Sequence, residues 1–530
     1  MQEERTPLVA WRLPSDQDAS GRTLGDEELA GVVAAHYVEA YRATAEGPDA
    51  EALAARARDW LSQAADRALS LGSPEQALGY VEQALAITSG GADRASLLEK
   101  AGEAATRSAA YERAVALLDE AIALHRDRGD PTAAANSTSR LTFALTATDR
   151  RSEAIRRMEE AVAELGTEGD VRVRAELCAN LVWATTVVGS PEAALTWAEQ
   201  ALPLAERHDF EEILVRGLSA KSQALFDLGR HREAAILARG ALNLAEELGD
   251  NRARAEVLLR LSVQVNEDDP VEGLKASLAG AEAARRAGDR TLEIVNLANG
   301  AESAIDIGQW DVASEIISEL EGRDLTGFHA AGVAFSAAML AALRGDVEGA
   351  FHRLDEVASR MESDMVAERT WHLRVLSVVK LAGGDLEGAF RDAMAAVEPD
   401  PTGMNAPFAA WGAARAAIWL RDGDKLREAL RAMIPLRGRW TDACRRSAEA
   451  GLAALEGRTS EAAVEYDRAL EAWAAMDLPL DFAQTAVDAA TVLPEAAQPS
   501  DAIERARQIL TSLGARPLLD RLSSGQRVAG

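Results

Sequence analysis

The sequence predicts an all-α chain: a right-handed superhelix (an α-solenoid) of about eleven helix-turn-helix repeats, each of 34–40 residues. Three observations carry this. First, a short turn phrase recurs, as in Gly189-Ser190-Pro191-Glu192-Ala193-Ala194 and Gly229-Arg230-His231-Arg232-Glu233-Ala234. Its anchors fall at Gly72, Ala109, Asp149, Gly189, Gly229, Asp268, Gly308, Gly345, Gly384, Gly423, Gly457 and Ala497, in steps of 34 to 40 residues. A fixed period between about 20 and 50 residues is the mark of stacked repeats and outranks local readings. Second, small residues stand in columns at fixed offsets from those anchors. Third, strand signals are scarce, and Gly and Pro sit between units rather than inside them.

Each unit reads as two helices. The anchor ends the first, because a left-handed C-terminal cap costs Gly nothing. Polar residues, or an early Pro such as Pro74 or Pro191, start the second, where the missing N–H is no loss. Ala77, Ala114, Ala154, Ala194 and Ala234 stand five residues past their anchors; Ala84, Ala121, Ala161, Ala201 and Ala241 stand twelve past. Seven residues apart, the two columns share a helix face. A third small column, seven before the anchor, holds Gly102, Ser222, Ala301, Ala338, Ser377, Ala416 and Ala450. Small residues at these places let helix backbones approach closely. In such a stack each unit couples only to its neighbours, so unfolding is expected to be broad.

Taken in order, residues 1–24 show no period and read as a flexible arm containing Trp11. Residues 25–71 hold a helix pair, about Glu27–Thr44 and Asp49–Leu71. Repeats fill 72–398, with a degenerate copy near Asp268-Asp269-Pro270 where Gly273 and Gly280 replace both Ala positions. Glu398-Pro399-Asp400-Pro401 and Pro407 suggest a break, followed by shorter repeats to residue 500. Helices over 501–522 are expected to cap the stack, and 523–530 to fray.

The turn Gly and the two Ala columns, with Tyr80 and Tyr466 at helix-packing positions, resemble the tetratricopeptide repeat (TPR) family over roughly residues 50–510. Repeats of 37–40 residues exceed the family's usual length of about 34. Leu29-Ala30-Gly31-Val32-Val33-Ala34-Ala35-His36-Tyr37, with Ala64-Ala65-Asp66-Arg67-Ala68, is similar to a junction in bacterial signalling proteins. Those proteins join a class III nucleotide cyclase, an AAA-type ATPase and a TPR tail; signal-transduction ATPase regulators are related. This sequence shows no cyclase or ATPase part. His36 reads as a core or junction histidine rather than a catalytic base.

Composition narrows the function. A formal net charge of −29 argues against nucleic acid, which needs a cationic footprint, and against anionic membrane surfaces. Cys178 and Cys444, the only cysteines, are far apart and read as buried thiols of a cytoplasmic protein. No charged segment followed by an apolar core opens the chain. The uncharged run Leu325–Leu343 is of membrane-span length but occupies a repeat-helix slot, and reads as a buried helix.

Chemistry-bearing motifs are absent. None of the five lysines follows a Gly, so there is no phosphate-binding P-loop. Gly-x-Ser-x-Gly, His-Glu-x-x-His and Cys-x-x-Cys do not occur, and the seven histidines are scattered. No catalytic residue, metal site or cofactor is expected.

What remains is surface. The TPR resemblance implies that the first helix of each unit lines a concave groove, with contacts six and ten residues before the turn. Six before stand Glu103, Phe143, Trp183, Gln223, Ser262, Glu302, Met339, Val378, Ala417 and Gly451; ten before stand Ser139, Ala179, Leu258, Phe335 and Arg374. The family's Lys/Asn clamp for acidic C-termini is missing. Phe143, Trp183, Gln223, Phe335, Met339, Trp371 and Arg374 are the candidate partner-binding residues. Phe143 and Trp183 would form one apolar shelf, and Phe335, Met339 and Trp371 a second, unless longer helices turn them into the core. The implied function is a non-enzymatic scaffold or sensor module of a bacterial signalling system. It would bind a peptide or protein, a separate ATPase or cyclase module among the candidates. An adaptor without that history, or an enzyme with an unrecognised groove site, is the alternative.

Overall fold

A computed structural model describes residues 26–44, 49–88, 90–148, 150–167, 169–266, 268–323, 325, 327–358 and 366–528. The expected N-terminal arm with Trp11, and the anchor Asp149, lie outside these residues. The chain divides into two compact units, residues 1–189 and 190–530.

The first unit contains α1 (Asp26–Ala43), α2 (Ala50–Ser70), α3 (Pro74–Ala86), α4 (Ala92–Arg107), α5 (Tyr111–Asp127), α6 (Pro131–Ala147), α7 (Arg151–Leu165) and α8 (Val171–Val187). The second opens with α9 (Pro191–Arg207), α10 (Glu211–Asp227), α11 (His231–Glu247), α12 (Asn251–Val265), α13 (Pro270–Ala287), α14 (Arg290–Asp306), α15 (Trp310–Glu321), α16 (Gly327–Arg344) and α17 (Val347–Ala358). It continues with α18 (Val366–Gly383), α19 (Leu386–Val397), α20 (Ala406–Leu420), α21 (Gly423–Ala432), α22 (Arg439–Leu455), α23 (Thr459–Ala475), α24 (Pro479–Val492), α25 (Ser500–Leu513) and α26 (Arg516–Val528). No strand occurs among the described residues. Each unit is a TPR-like stack in which a helix packs on the next and on the next but one.

The turns explain the period. Gly72, Gly189, Gly229, Gly308, Gly345, Gly384 and Gly457 all have positive φ, and so does the anchor Ala109, at +60°. At Gly229 the next N–H, from Arg230, reaches back to Leu225 O at 2.9 Å while Gly229 N–H reaches Phe226 O at 2.8 Å. That is the Schellman closure of a helix end. Left-handed residues also stand midway between anchors, at Gly129, Asp209, Gly249 and Gly288. The regular region therefore turns about every 20 residues, and the 40-residue step is two near-equal halves. New helices start on Pro at the first positions (Pro74, Pro131, Pro191, Pro270, Pro479) or on Asp caps. Asp130, Asp170, Asp250, Asp289 and Asp385 each accept from an N–H of the first turn.

The small columns are packing positions. Ala77, Ala84, Ala114, Ala121, Ala194, Ala201, Ala234 and Ala241 have no exposed surface. A Cβ on Gly102 would lie 2.5 Å from Leu118 Cγ, and one on Gly280 would lie 2.1 Å from Asn296 Oδ1. Three anchors differ from expectation; one is Ala497, which ends a short 3-10 helix, Glu495–Ala497, and has no positive φ. The left-handed residue near Gly423 is Arg421, at φ +58°, and Gly423 is already the first residue of α21. Asp268 has no positive φ: Asp269 instead caps α13 by accepting from Glu272 N.

One apolar core in the second unit runs from Leu274 to Leu522, passing through the Pro-rich stretch at 399–407 without interruption. The unit also closes on itself. Arg439 N, at the start of α22, donates to Asp268 Oδ1 at 2.9 Å across 171 residues. Its guanidinium lies 3.7 Å from Asp269. Helix α26 packs on α16, α18 and α24 and runs through Val528. No helix among the described residues is long and apolar enough to cross a membrane. Cys178 and Cys444 are buried and free, and burial pushes the Cys178 thiol up to about 11.

Candidate functional site

Phe143 and Trp183 come together, as their 40-residue spacing predicts. Both project from first helices of successive units, α6 and α8, in the first compact unit. Their rings stack with centroids 6.5 Å apart and planes 17° from parallel. Phe143 is 45% exposed although it is a large apolar side chain on a regular helix. Trp183 is half-buried. A third ring extends the row: Tyr111, the first residue of α5, meets Phe143 edge-on at 6.0 Å. Tyr111 stands two residues past the Ala109 anchor, outside the columns from which the sequence drew its candidates. Beside the aromatic row, Asn180 Nδ2 donates to Ser139 Oγ at 2.7 Å, tying α8 to α6.

The same face continues as an open polar groove of about 500 Å³ on α2, α4 and α6. Lys100 Nζ reaches Asp66 at 2.7 Å and Ser62 Oγ at 2.6 Å. Arg140 lies 3.7 Å from Glu103, and Arg107 donates to Leu69 O at 3.0 Å. Arg140 and Phe143 are three residues apart on α6 and so neighbour each other on its surface. Glu99 accepts from Ser137 Oγ at 2.6 Å and stands 3.2 Å from His125 Nε2. The groove thus offers paired charges of both signs ending in a row of rings.

The second compact unit holds the other candidates, and it scatters them. Gln223 donates to Asp227 Oδ1 at 2.9 Å on the exposed side of α10. Phe335 has no exposed surface and belongs to the core, so it forms no shelf. Trp371 meets it edge-on at 5.1 Å. Met339 is buried but lines a partly open cavity, as does Arg374. Arg374 forms a buried cluster with Glu302 and Asp306, its Nη2 lying 3.0 Å from Asp306 Oδ1. Its guanidinium stacks 4.2 Å from the Phe408 ring. The second shelf is therefore core and cavity wall, because here α20 also meets α24 and α26 packs on α16 and α18, covering these positions. His36 is exposed on α1 rather than buried. No group of His, Cys, Asp and Glu among the described residues could hold a metal ion.

No protein-family model matches this chain, and no curated protein matches it. Among solved structures it is similar to aspartyl phosphate phosphatase F from Bacillus subtilis, at 13% identity over 55% of this chain and 80% of that one, with a TM-score of 0.43. It is similar to the APC/C hetero-tetramer Cut9–Hcn1, at 13% identity over 88% and 96% of the two chains, with a TM-score of 0.43. A third is a signal transduction ATPase with a tetratricopeptide repeat sensor from Pyrococcus horikoshii, at 15% identity over 72% of this chain and 52% of that one, with a TM-score of 0.40. Identities and scores this low concern the helical-repeat fold alone.

Proposed function

We propose that this chain is a non-enzymatic interaction module, and that the helix face from α2 to α8 takes a peptide or helix of a partner protein. One observation carries the reading: Phe143, stacked on Trp183, stays exposed at the end of a polar groove. Exposed aromatics beside a concave surface are typical anchors of recognition. A net charge of −29, with Asp66, Glu99 and Glu103 on the groove wall, favours a partner segment with apolar anchors and basic residues. The test is to pan a displayed random-peptide library on the full chain. Selected peptides should carry an aromatic or aliphatic anchor with Lys or Arg nearby. They should lose at least about tenfold in affinity on Phe143→Ala, at unchanged melting temperature. Peptides indifferent to Phe143→Ala would refute the groove.

The finer reading, a separate ATPase or cyclase module as partner, is supported by the junction-like residues 29–37 and 64–68. On α1, Leu29 and Val32 are exposed, Val32 by 58%, and offer such a module an apolar contact. If so, Val32→Asp will abolish co-purification with that module without lowering the melting temperature; an unaffected complex would sink this reading.

A further inference from the structure

The second compact unit holds a partly open cavity of about 100 Å³ between the first helices α14, α16, α18, α20, α22 and α24, with α26 along one side. Its wall is mostly apolar and aromatic. Phe408, Trp411, Arg415 and Trp419, spaced three to four residues apart, form one stripe of α20 along it, and Trp440 and Asp481 face it from α22 and α24.

Two donors in this wall have no acceptor. Trp411 Nε1 and Arg415 Nη2 are buried and find no hydrogen-bond partner among the described residues, and each residue is only 5% exposed. Of the neighbouring polar groups, Asp488 Oδ2 and Arg415 Nε also lack a hydrogen bond, and the others are engaged. Trp419 Nε1 donates to Asp488 Oδ1 at 2.6 Å. Arg415 Nε stands 3.4 Å from Asp488 Oδ2, close enough to pair in charge but poorly aligned for a hydrogen bond. Arg374 is committed to Glu302 and Asp306. The two orphans lie one turn apart on α20, with the Arg415 guanidinium 6.0 Å from the Trp411 ring. A buried donor left unmet is costly, and oxygen acceptors entering the cavity would complete these two.

The same wall disfavours a cation. Two of the ring faces on which an ammonium would sit, those of Phe408 and Trp419, are occupied by the chain's own guanidinium groups. Arg374 covers Phe408 at 4.2 Å, and Arg415 and Arg521 cover Trp419 at 4.9 and 4.6 Å. Size sets the rest. An apolar cavity of about 150 Å³ takes benzene, so this one accommodates on the order of four to six heavy atoms.

We propose that this cavity is a binding site for a small monocarboxylic acid of about three or four carbons. Its carboxyl oxygens accept from Trp411 Nε1 and Arg415 Nη2, and its hydrocarbon end lies against the aromatic wall. The apolar lining with two convergent polar groups is the usual composition of a small-molecule site. The proposal concerns the second unit and stands apart from the groove on the first.

The test is calorimetric titration of the full chain with butyrate, isobutyrate and butylamine at matched ionic strength, with chloride as the anion control. The expected result is saturable one-to-one binding of butyrate or isobutyrate, and none of butylamine or chloride. Trp411→Phe keeps the ring and removes one donor; it should weaken acid binding at least tenfold without lowering the melting temperature. Arg415→Lys keeps the charge beside Asp488 and should weaken it too. No saturable acid binding, binding of the amine instead, or affinity unchanged in folded Trp411→Phe would each overturn the site.

Discussion

Phe143 Cα and Trp183 Cα stand one 40-residue step apart in sequence, and their rings stack 6.5 Å apart on one face of the first unit. Equivalent places in a stack of repeats fall on one surface, so a spacing in sequence becomes a contact in space. Because Phe143 keeps nearly half its surface in solvent, Phe143→Ala should change stability by no more than about 0.5 kcal/mol. Trp183→Ala, which removes a half-buried ring, should cost clearly more. Thermal unfolding of both variants checks this; equal large losses would place Phe143 in the core.

The packing columns can be tested on one helix. On α7, Ala161 is buried against its neighbours and Ala163 is exposed. Ala161→Leu should destabilise by about 1–3 kcal/mol through overpacking, and Ala163→Leu by little. Ala234→Leu, on α11, should behave like Ala161→Leu. Denaturant titration distinguishes them, and similar effects at 161 and 163 would mean that the columns are not contacts.

Backbone strain gives a stabilising substitution. Ala109 sits at φ +60°, where a Cβ is crowded, at a helix end that Gly fills in most other units. Ala109→Gly should raise stability by about 1 kcal/mol. Gly102→Ala should lower it, since the added methyl meets the buried side chain of Leu118. Opposite signs from two small exchanges a few residues apart are the expected outcome in a melting assay.

Three buried carboxyls make the second unit sensitive to pH. Burial pushes Asp481 up to about 7 and Asp488 up to about 6, and burial together with Glu302 raises Asp306. Each holds its proton more tightly folded than unfolded, where a carboxyl titrates near about 4. Stability from these groups is therefore highest at low pH within this window and falls as pH rises from about 4 to 7. The second unit should be more stable near pH 5 than near pH 8. Asp481→Asn should flatten that dependence and raise stability at the alkaline end. A pH series of urea midpoints checks it, and a midpoint that climbs with pH would contradict the assignment.

The helical stack was legible because its signals are local and repeated: a left-handed residue after most first helices and Ala where backbones approach. The half-period was harder to see, since its turns use Gly129, Asp209, Gly249 and Gly288 without the Ala columns that mark the anchors. The cavity was missed through a two-residue error. With the turn placed at Gly423, the positions six and ten before it are Ala417 and Ala413, which are core. With the turn at Arg421, where the chain goes left-handed, they are Arg415 and Trp411. An Arg at positive φ gives no compositional cue, whereas the neighbouring Gly does. Phe335 went the other way: its ring lies in the core of the second unit, against Trp371 and His372.

The contact of Arg439 with Asp268 changes how the second unit should come apart. An open array gains and loses its repeats one at a time, each held only by its neighbours. Here a pairing spans 171 residues, and the helices between its ends surround a shared core. Joining those ends carries a loop-closure cost that is recovered only when the whole arc is in place. The expected consequence is one steep transition for residues 268–528, with amides of α13 and α22 exchanging their hydrogens together despite their distance in sequence. Asp268→Ala, which removes the acceptor of that backbone bond, should then broaden that transition and let the two helices exchange at separate rates.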